Sequence, residues 1–198
     1  MTATVDEMKR VFGSFDGDRA NLPPFAEIYP GRPAPVLRRE GGTLKLETMT
    51  WGFPGPAAAK GRPVTNIRNL ASPFWRTALD KVERRCIVPV TQFCEWTAEP
   101  DPATKRKRKV WFGLHEAHEP LFAFAGLWRP AAKDGSGGPF MAFLTCAPNA
   151  TVGAIHPKAM PVMLRPADAL GWLEHDRETA CALALPFADA DMRIIDTA

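Results

Sequence analysis

Arg85-Cys86-Ile87-Val88-Pro89-Val90-Thr91-Gln92-Phe93-Cys94-Glu95-Trp96 is the stretch on which the fold turns. It holds two short strand-like runs, Cys86–Val90 and Phe93–Trp96, with only Thr91 and Gln92 between them. Alternation along the second run puts Phe93 and Glu95 on one face and Cys94 and Trp96 on the other. Further strand-like segments follow at Val110–Leu114, Leu121–Trp128, Phe140–Cys146 and Met192–Ile195. Ahead of them, Val36–Leu37 and Leu44–Trp51 read as a hairpin turning at Gly41-Gly42. Helices are few. Thr4-Val5-Asp6-Glu7 is a capping-box pattern followed by Met8, Val11 and Phe12 at helical spacing. A second helix is expected over Arg76–Glu83, and a third opens at Pro166 and runs to about His175. Gly13–Pro35 and Phe53–Pro63 read as loops. Strands at close spacing with few helices between them predict an α+β fold with a mainly antiparallel sheet. No repeat or linker divides residues 1–198, so one domain is expected.

The bulk numbers exclude several classes. A chain of 198 residues with 45% hydrophobic and 24% charged residues has ample material for a core. No apolar run approaches the roughly 18 residues that span a membrane, and no signal peptide opens the sequence, so the default location is the cytoplasm. Four cysteines, Cys86, Cys94, Cys146 and Cys181, lack C-x-x-C spacing, which argues against a zinc site or a disulfide framework. No metal or other cofactor is expected. The net charge of +3 is small, but Lys105-Arg106-Lys107-Arg108-Lys109 is an unbroken basic run. Basic residues recur at Arg62, Arg68, Arg76, Lys81, Arg84 and Arg85. Phosphate is the usual partner of such clusters; a solvated hairpin loop is the plainer reading of the 105–109 run.

Three polar side chains stand in apolar settings: Asn66 before Ile67-Arg68, Glu95 in its strand, and His156 within Ile155-His156-Pro157. An amide, a carboxylate and an imidazole form a usable acid–base kit, should they meet. A carboxylate on a largely apolar strand has its pKa raised by burial, which suits a general acid or base. Each also has a structural reading: Glu95 as the ion-pair partner of Arg68 or Arg85, and His156 and Asn66 as turn residues. His115-Glu116-Ala117-His118-Glu119 resembles a zinc-protease motif, but its histidines are three apart rather than four. It reads as the loop of a hairpin. Cys94 is faced away from Glu95 by alternation and reads as packing.

Taken in order and spacing, these islands resemble the SRAP family (SOS response-associated peptidase domains). The resemblance rests on Trp51-Gly52, Asn66-Ile67-Arg68, Arg85–Pro89, Glu95-Trp96, Phe124–Trp128, Thr145–Asn149 and the His-x-x-x-Met-Pro-Val-x-Leu pattern from His156. It implies a barrel-like sheet with flanking helices, and a protein that crosslinks covalently to abasic sites in single-stranded DNA. In that family a cysteine after the initiator methionine is unmasked by self-processing, and its α-amine and thiol capture the open-ring aldehyde as a thiazolidine. The resemblance assigns Glu95 to proton transfer around the amine, His156 to sugar-ring opening, and Asn66 to orienting the intermediate. It assigns Trp51, Arg68, Arg76, Lys158 and Asn149 to the DNA strand. The implied partner is single-stranded DNA carrying abasic sites, met by a monomer that joins the nucleoid when DNA is damaged.

The chain departs from the family pattern at several points. Its second residue is Thr2, not cysteine. Gln92 replaces a glycine, the Glu-Thr pair after Arg68 is absent, and Ala159-Met160 stands for Arg-Met, with Lys158 supplying the nearby cation. Met1-Thr2 before the Thr4 capping box resembles an internal step of the family's opening. That implies about six further residues ahead of it, a strand of about 20 Å. The other reading of Thr2 is a degenerate chain that binds DNA without crosslinking. Two functions of other classes stay open: a non-covalent single-stranded nucleic-acid binding module, and a cysteine peptidase using Cys94 and His156.

Overall fold

The computed structural model describes residues 3–17, 25, 27–55, 61–115, 120–131 and 137–195. Met1 and Thr2, residues 116–119 of the His115–Glu119 segment, and parts of the two long predicted loops lie outside the described residues. The first helix, α1 (Val5–Phe12), starts where the sequence places it. Thr4 accepts the Glu7 N–H, and the Glu7 carboxylate takes the Thr4 N–H at 2.7 Å, which completes the capping box. Met8 and Phe12, one turn apart, are its buried residues.

After the short β1 (Phe15–Asp16), β2 (Pro33–Glu40) and β3 (Thr43–Trp51) form the expected hairpin. Gly41 and Gly42 both have positive φ, 58° and 87°, as a two-residue primed turn requires. β2 begins three residues before the sequence reading placed it, inside the predicted loop, because Pro33 and Pro35 do pair, with Thr50 and Thr48. Two prolines at alternate positions turn their ring nitrogens to one edge, and the ladder to the next strand begins only at Leu37.

Then come β4 (Asn66–Ile67), α2 (Pro73–Leu79), β5 (Arg85–Val90) and β6 (Phe93–Trp96). The second helix is earlier than the expected 76–83 range. Ser72 caps it, Pro73 fills its first turn, and a separate 3-10 turn spans Val82–Arg84. The remaining strands are β7 (Lys109–Leu114), β8 (Phe122–Arg129), β9 (Phe140–Cys146), β10 (Met160–Pro161), β11 (Met163–Leu164) and β12 (Met192–Ile195). The remaining helices are α3 (Ala150–Gly153), α4 (Pro166–Glu174) and α5 (Arg177–Ala182).

Among the described residues the strands form a nine-stranded sheet and a three-stranded sheet, β12-β7-β6. Thr91 and Gln92 are where the chain changes sheet: β5 lies between β2 and β8, whereas β6 pairs with β7. β7 and β8 also belong to different sheets, so they are not the two arms of the hairpin expected from sequence. Pairing is mainly antiparallel; β1–β3, β3–β9 and β4–β9 are the parallel exceptions. The β3–β9 contact, Thr50 with Phe140 and Trp51 with Met141, returns the path β3-β2-β5-β8-β9 to its start. The sheet is thus rolled on itself, closed at one short seam, within an α+β fold.

α4 covers the β5–β8 region. Its Trp172 is fully buried, and the indole N–H donates to the carbonyls of Cys86 at 3.0 Å and Gly126 at 3.2 Å. Gly126 has no room for a side chain, since a Cβ there would stand 3.0 Å from Cys86 Sγ and 3.1 Å from the Ala142 carbonyl. Arg85 is buried beneath the same helix, and its guanidinium donates to the carbonyls of Leu79, Trp172 and His175. Those carbonyls end α2 and α4, where helix dipoles favour a cation. Arg85 is therefore neither a phosphate ligand nor the partner of Glu95.

Candidate active site

Glu95 pairs with Val110 across the β6–β7 ladder, one step from a stacked pair, Phe93 on Phe112, with ring centroids 5.2 Å apart. Phe93 meets Phe124 of β8 edge-on at 5.8 Å, so the face of β6 that carries Glu95 looks toward the large sheet. From Phe124 the aromatic line continues to Phe143 at 5.0 Å and from Phe143 to Trp51 at 5.0 Å. Asn66 lies directly opposite Phe143 in the β4–β9 register and so shares its face. The Trp51 indole N–H donates to the Thr65 carbonyl at 3.0 Å, which fixes the residue just before Asn66.

His156 reaches the same region from the far side. Asn149 caps α3, and the His156 N–H closes the turn onto the Val152 carbonyl at 2.8 Å. The Ala98 N–H donates to the Ile155 carbonyl at 2.9 Å, tying the exit of β6 to the residue before His156. On the other flank, Arg68 Nη1 donates to the Lys158 carbonyl at 2.9 Å. The three sequence islands are thereby joined in pairs, 66–68 to 156–160 and 95–98 to 155–156.

His156 Nε2 stands 3.9 Å from Glu95 Oε2, each side chain about one quarter exposed. That is too long for a hydrogen bond and short enough for a Coulomb contact. Burial raises the Glu95 pKa above the ordinary carboxylate value, and a charged His156 pulls it back. The carboxyl thus holds its proton to higher pH than a surface glutamate, the property sought in a general acid or base.

Among the other residues singled out from sequence, Trp51 is half-buried at the seam, while Arg68, Arg76 and Lys158 are exposed. Arg76 sits on the open side of α2, beside Trp75, which packs edge-on against Phe53 at 5.2 Å. Asn149 is engaged within the fold. Its carbonyl oxygen accepts the Val152 N–H at 3.0 Å, and its amide donates to the Phe187 carbonyl at 3.0 Å. Arg84 lies over the Trp128 ring, 5.2 Å from its centroid, so two members of the predicted basic cluster belong to packing. Cys94 is on the opposite face of β6 from Glu95, where burial pushes its thiol pKa up. Sequence reasoning missed Phe143 and Thr65, because an apolar strand residue reads as core and a backbone carbonyl leaves no sequence signal.

The SOS response associated peptidase (SRAP) family model matches residues 1–197. The chain belongs to the SRAP family. The SRAP chain is 28% identical over 179 residues to the abasic site processing protein YoqW of Bacillus subtilis, covering 85% of this chain and 76% of that protein. It is 26% identical over 197 residues to the abasic site processing protein YoaM of the same organism, covering 92% and 83%. A solved structure from Bordetella bronchiseptica superposes with a TM-score of 0.75 at 19% identity over 100% of this chain and 97% of that one. Another, from Bacteroides thetaiotaomicron, gives 0.67 at 22% identity over 84% and 75%. These establish the shared fold. Among the described residues of the SRAP chain, no cluster of three or more His, Cys, Asp or Glu side chains is arranged to hold a metal ion. No helix there is long and apolar enough to cross a membrane.

Proposed function

We propose that this chain recognises abasic sites in single-stranded DNA and that Glu95, His156 and Asn66 serve a covalent capture of the abasic aldehyde. The observation that carries the reading is the 3.9 Å Glu95–His156 pair, with a raised carboxyl pKa, beside the face that holds Asn66. An abasic sugar is in equilibrium with an open-chain aldehyde. An amine that attacks its carbon forms a carbinolamine as one proton moves from nitrogen to oxygen. Loss of water then gives the imine. A thiol on the same residue adds its sulfur to the imine carbon and its proton to the nitrogen, closing a thiazolidine with one water released overall.

Each step needs a proton delivered or removed at a named atom, and Glu95 and His156 supply an acid and a base side by side. His156 serves sugar-ring opening, Glu95 the carbinolamine oxygen, and the Asn66 amide orients the nitrogen. Trp51, Arg68, Arg76 and Lys158 hold the flanking strand, by stacking and by charge. The amine and thiol of this reaction belong to an N-terminal cysteine, a role that Thr2 does not fill.

The test is equilibrium binding of matched single-stranded oligonucleotides with and without one abasic site. Preference for the abasic strand that weakens in Glu95→Gln or His156→Ala supports the reading. Equal, salt-sensitive binding of both strands, indifferent to those substitutions, would establish a non-covalent nucleic-acid binding module instead.

A further inference from the structure

We infer that the tip of the β6–β7 hairpin, Lys105-Arg106-Lys107-Arg108, is a preformed arm that grips the phosphates of the strand flanking the abasic site. The inference rests on the proposed function and goes beyond it, since none of these residues belongs to the site assigned above. The hairpin rises directly from Glu95-Trp96 on one side and Lys109 on the other. All four basic side chains of the tip are exposed.

The backbone beneath them is tied at several points. The Thr97 N–H donates to the Arg108 carbonyl at 3.0 Å, and the Arg108 N–H returns to the Thr97 hydroxyl at 3.1 Å. Higher up, the Asp101 N–H donates to the Arg106 carbonyl at 2.9 Å and the Lys105 N–H to the Asp101 carbonyl at 2.8 Å. The Asp101 carboxylate accepts the N–H groups of Ala103 and Thr104, both at 2.9 Å. Lys105 adopts φ 57°, a left-handed conformation that this network holds in place. A cationic run on a rigid turn loses less conformational freedom on binding than the same run in an open loop.

The placement relative to the site is also fixed. The Ala98–Ile155 hydrogen bond locks the base of the hairpin to the residue before His156. Asp101 lies five positions beyond Trp96, at most about 17 Å of chain, which matches about five nucleotides of stacked strand at 3.4 Å each. Glu99 and Asp101 offset part of the positive charge, but Asp101 is engaged in its own turn.

The test replaces Lys105, Arg106, Lys107 and Arg108 together by glutamine and measures affinity for abasic single-stranded DNA across a salt series. The slope of log affinity against log salt is expected to fall by about three, at roughly 0.7 per phosphate contact on single strands. The preference for abasic over intact strand should persist, because the site is untouched. An unchanged slope in a variant with native circular dichroism would overturn the arm and leave the proposed function standing. Failure of the unsubstituted chain to bind abasic DNA would overturn both.

Discussion

The Glu95 carboxylate and the His156 imidazole face each other at 3.9 Å although sixty-one positions separate them, and a backbone hydrogen bond from Ala98, just past the end of β6, to Ile155 ties the two segments. Neither element would present its side chain there alone. β6 aims Glu95 at the large sheet through Phe93, and α3 aims the Ile155–His156 turn at β6 through its Asn149 cap.

The raised pKa of Glu95 makes a stability prediction with a definite sign. In the range between its unfolded and folded pKa values the native state binds more protons than the unfolded one, so stability falls as pH rises through that range. Glu95→Gln removes this cost. Its thermal midpoint should match that of the parent at about pH 3, below the ordinary glutamate range, where the carboxyl is protonated in both folded and unfolded states, and exceed it at about pH 7. Melting curves at the two values check it; equal midpoints at both would show that Glu95 ionises freely.

For the chemistry, Glu95→Gln and His156→Ala, made in a chain that begins with cysteine, are each expected to slow capture of an abasic aldehyde by about 10²- to 10⁴-fold. Binding of intact single-stranded DNA should change by no more than a few-fold. Crosslink rates at saturating protein, set beside equilibrium titrations, separate the two effects.

Arg68 both holds the Lys158 carbonyl and stands exposed beside Asn66. Arg68→Ala should lower the salt slope of single-stranded DNA binding by about 0.7, one phosphate contact. Lysine at this position carries the charge without the guanidinium fork that can hold a carbonyl and a phosphate together. Arg68→Lys is therefore expected to restore the slope but not the full affinity.

Arg85 is a cation of the fold, not of the site. Arg85→Ala strips the carbonyls of Leu79, Trp172 and His175 of a shared donor and leaves a cavity, at a cost of about 3 kcal/mol or more. Denaturant unfolding should show a lower midpoint, while the folded fraction keeps its DNA affinity.

Cys94→Ser should leave both binding and capture unchanged, because its thiol lies across β6 from Glu95 and burial disfavours its thiolate. Peptide hydrolysis that depends on Cys94 would revive the peptidase reading.

How far the sequence discloses the molecule depends on where each signal lives. The capping box at Thr4, the Gly41-Gly42 turn and Pro166 name their elements because local backbone chemistry decides them. The facing of Glu95 and Cys94 follows from alternation alone. The change of sheet at Thr91-Gln92 does not, since two consecutive strands with a short turn read the same whether they pair or part. β4 is two residues long and exists through its parallel partner β9, so Asn66 reads as a turn residue until Phe143 is placed beside it. Arg85 shows the same limit. A buried arginine held by helix-end carbonyls has the same letters as a phosphate ligand. Asn149 likewise caps a one-turn helix that periodicity is too short to reveal.

The most direct test of the account is a denaturing-gel crosslink assay with abasic single-stranded DNA. It compares the 198-residue chain with a version extended at the front by Met-Cys and a strand of about 20 Å. The account predicts a stable crosslink from the extended version alone, lost or greatly slowed when Glu95→Gln is introduced into it. A crosslink from the chain as numbered, or none from either, would contradict it.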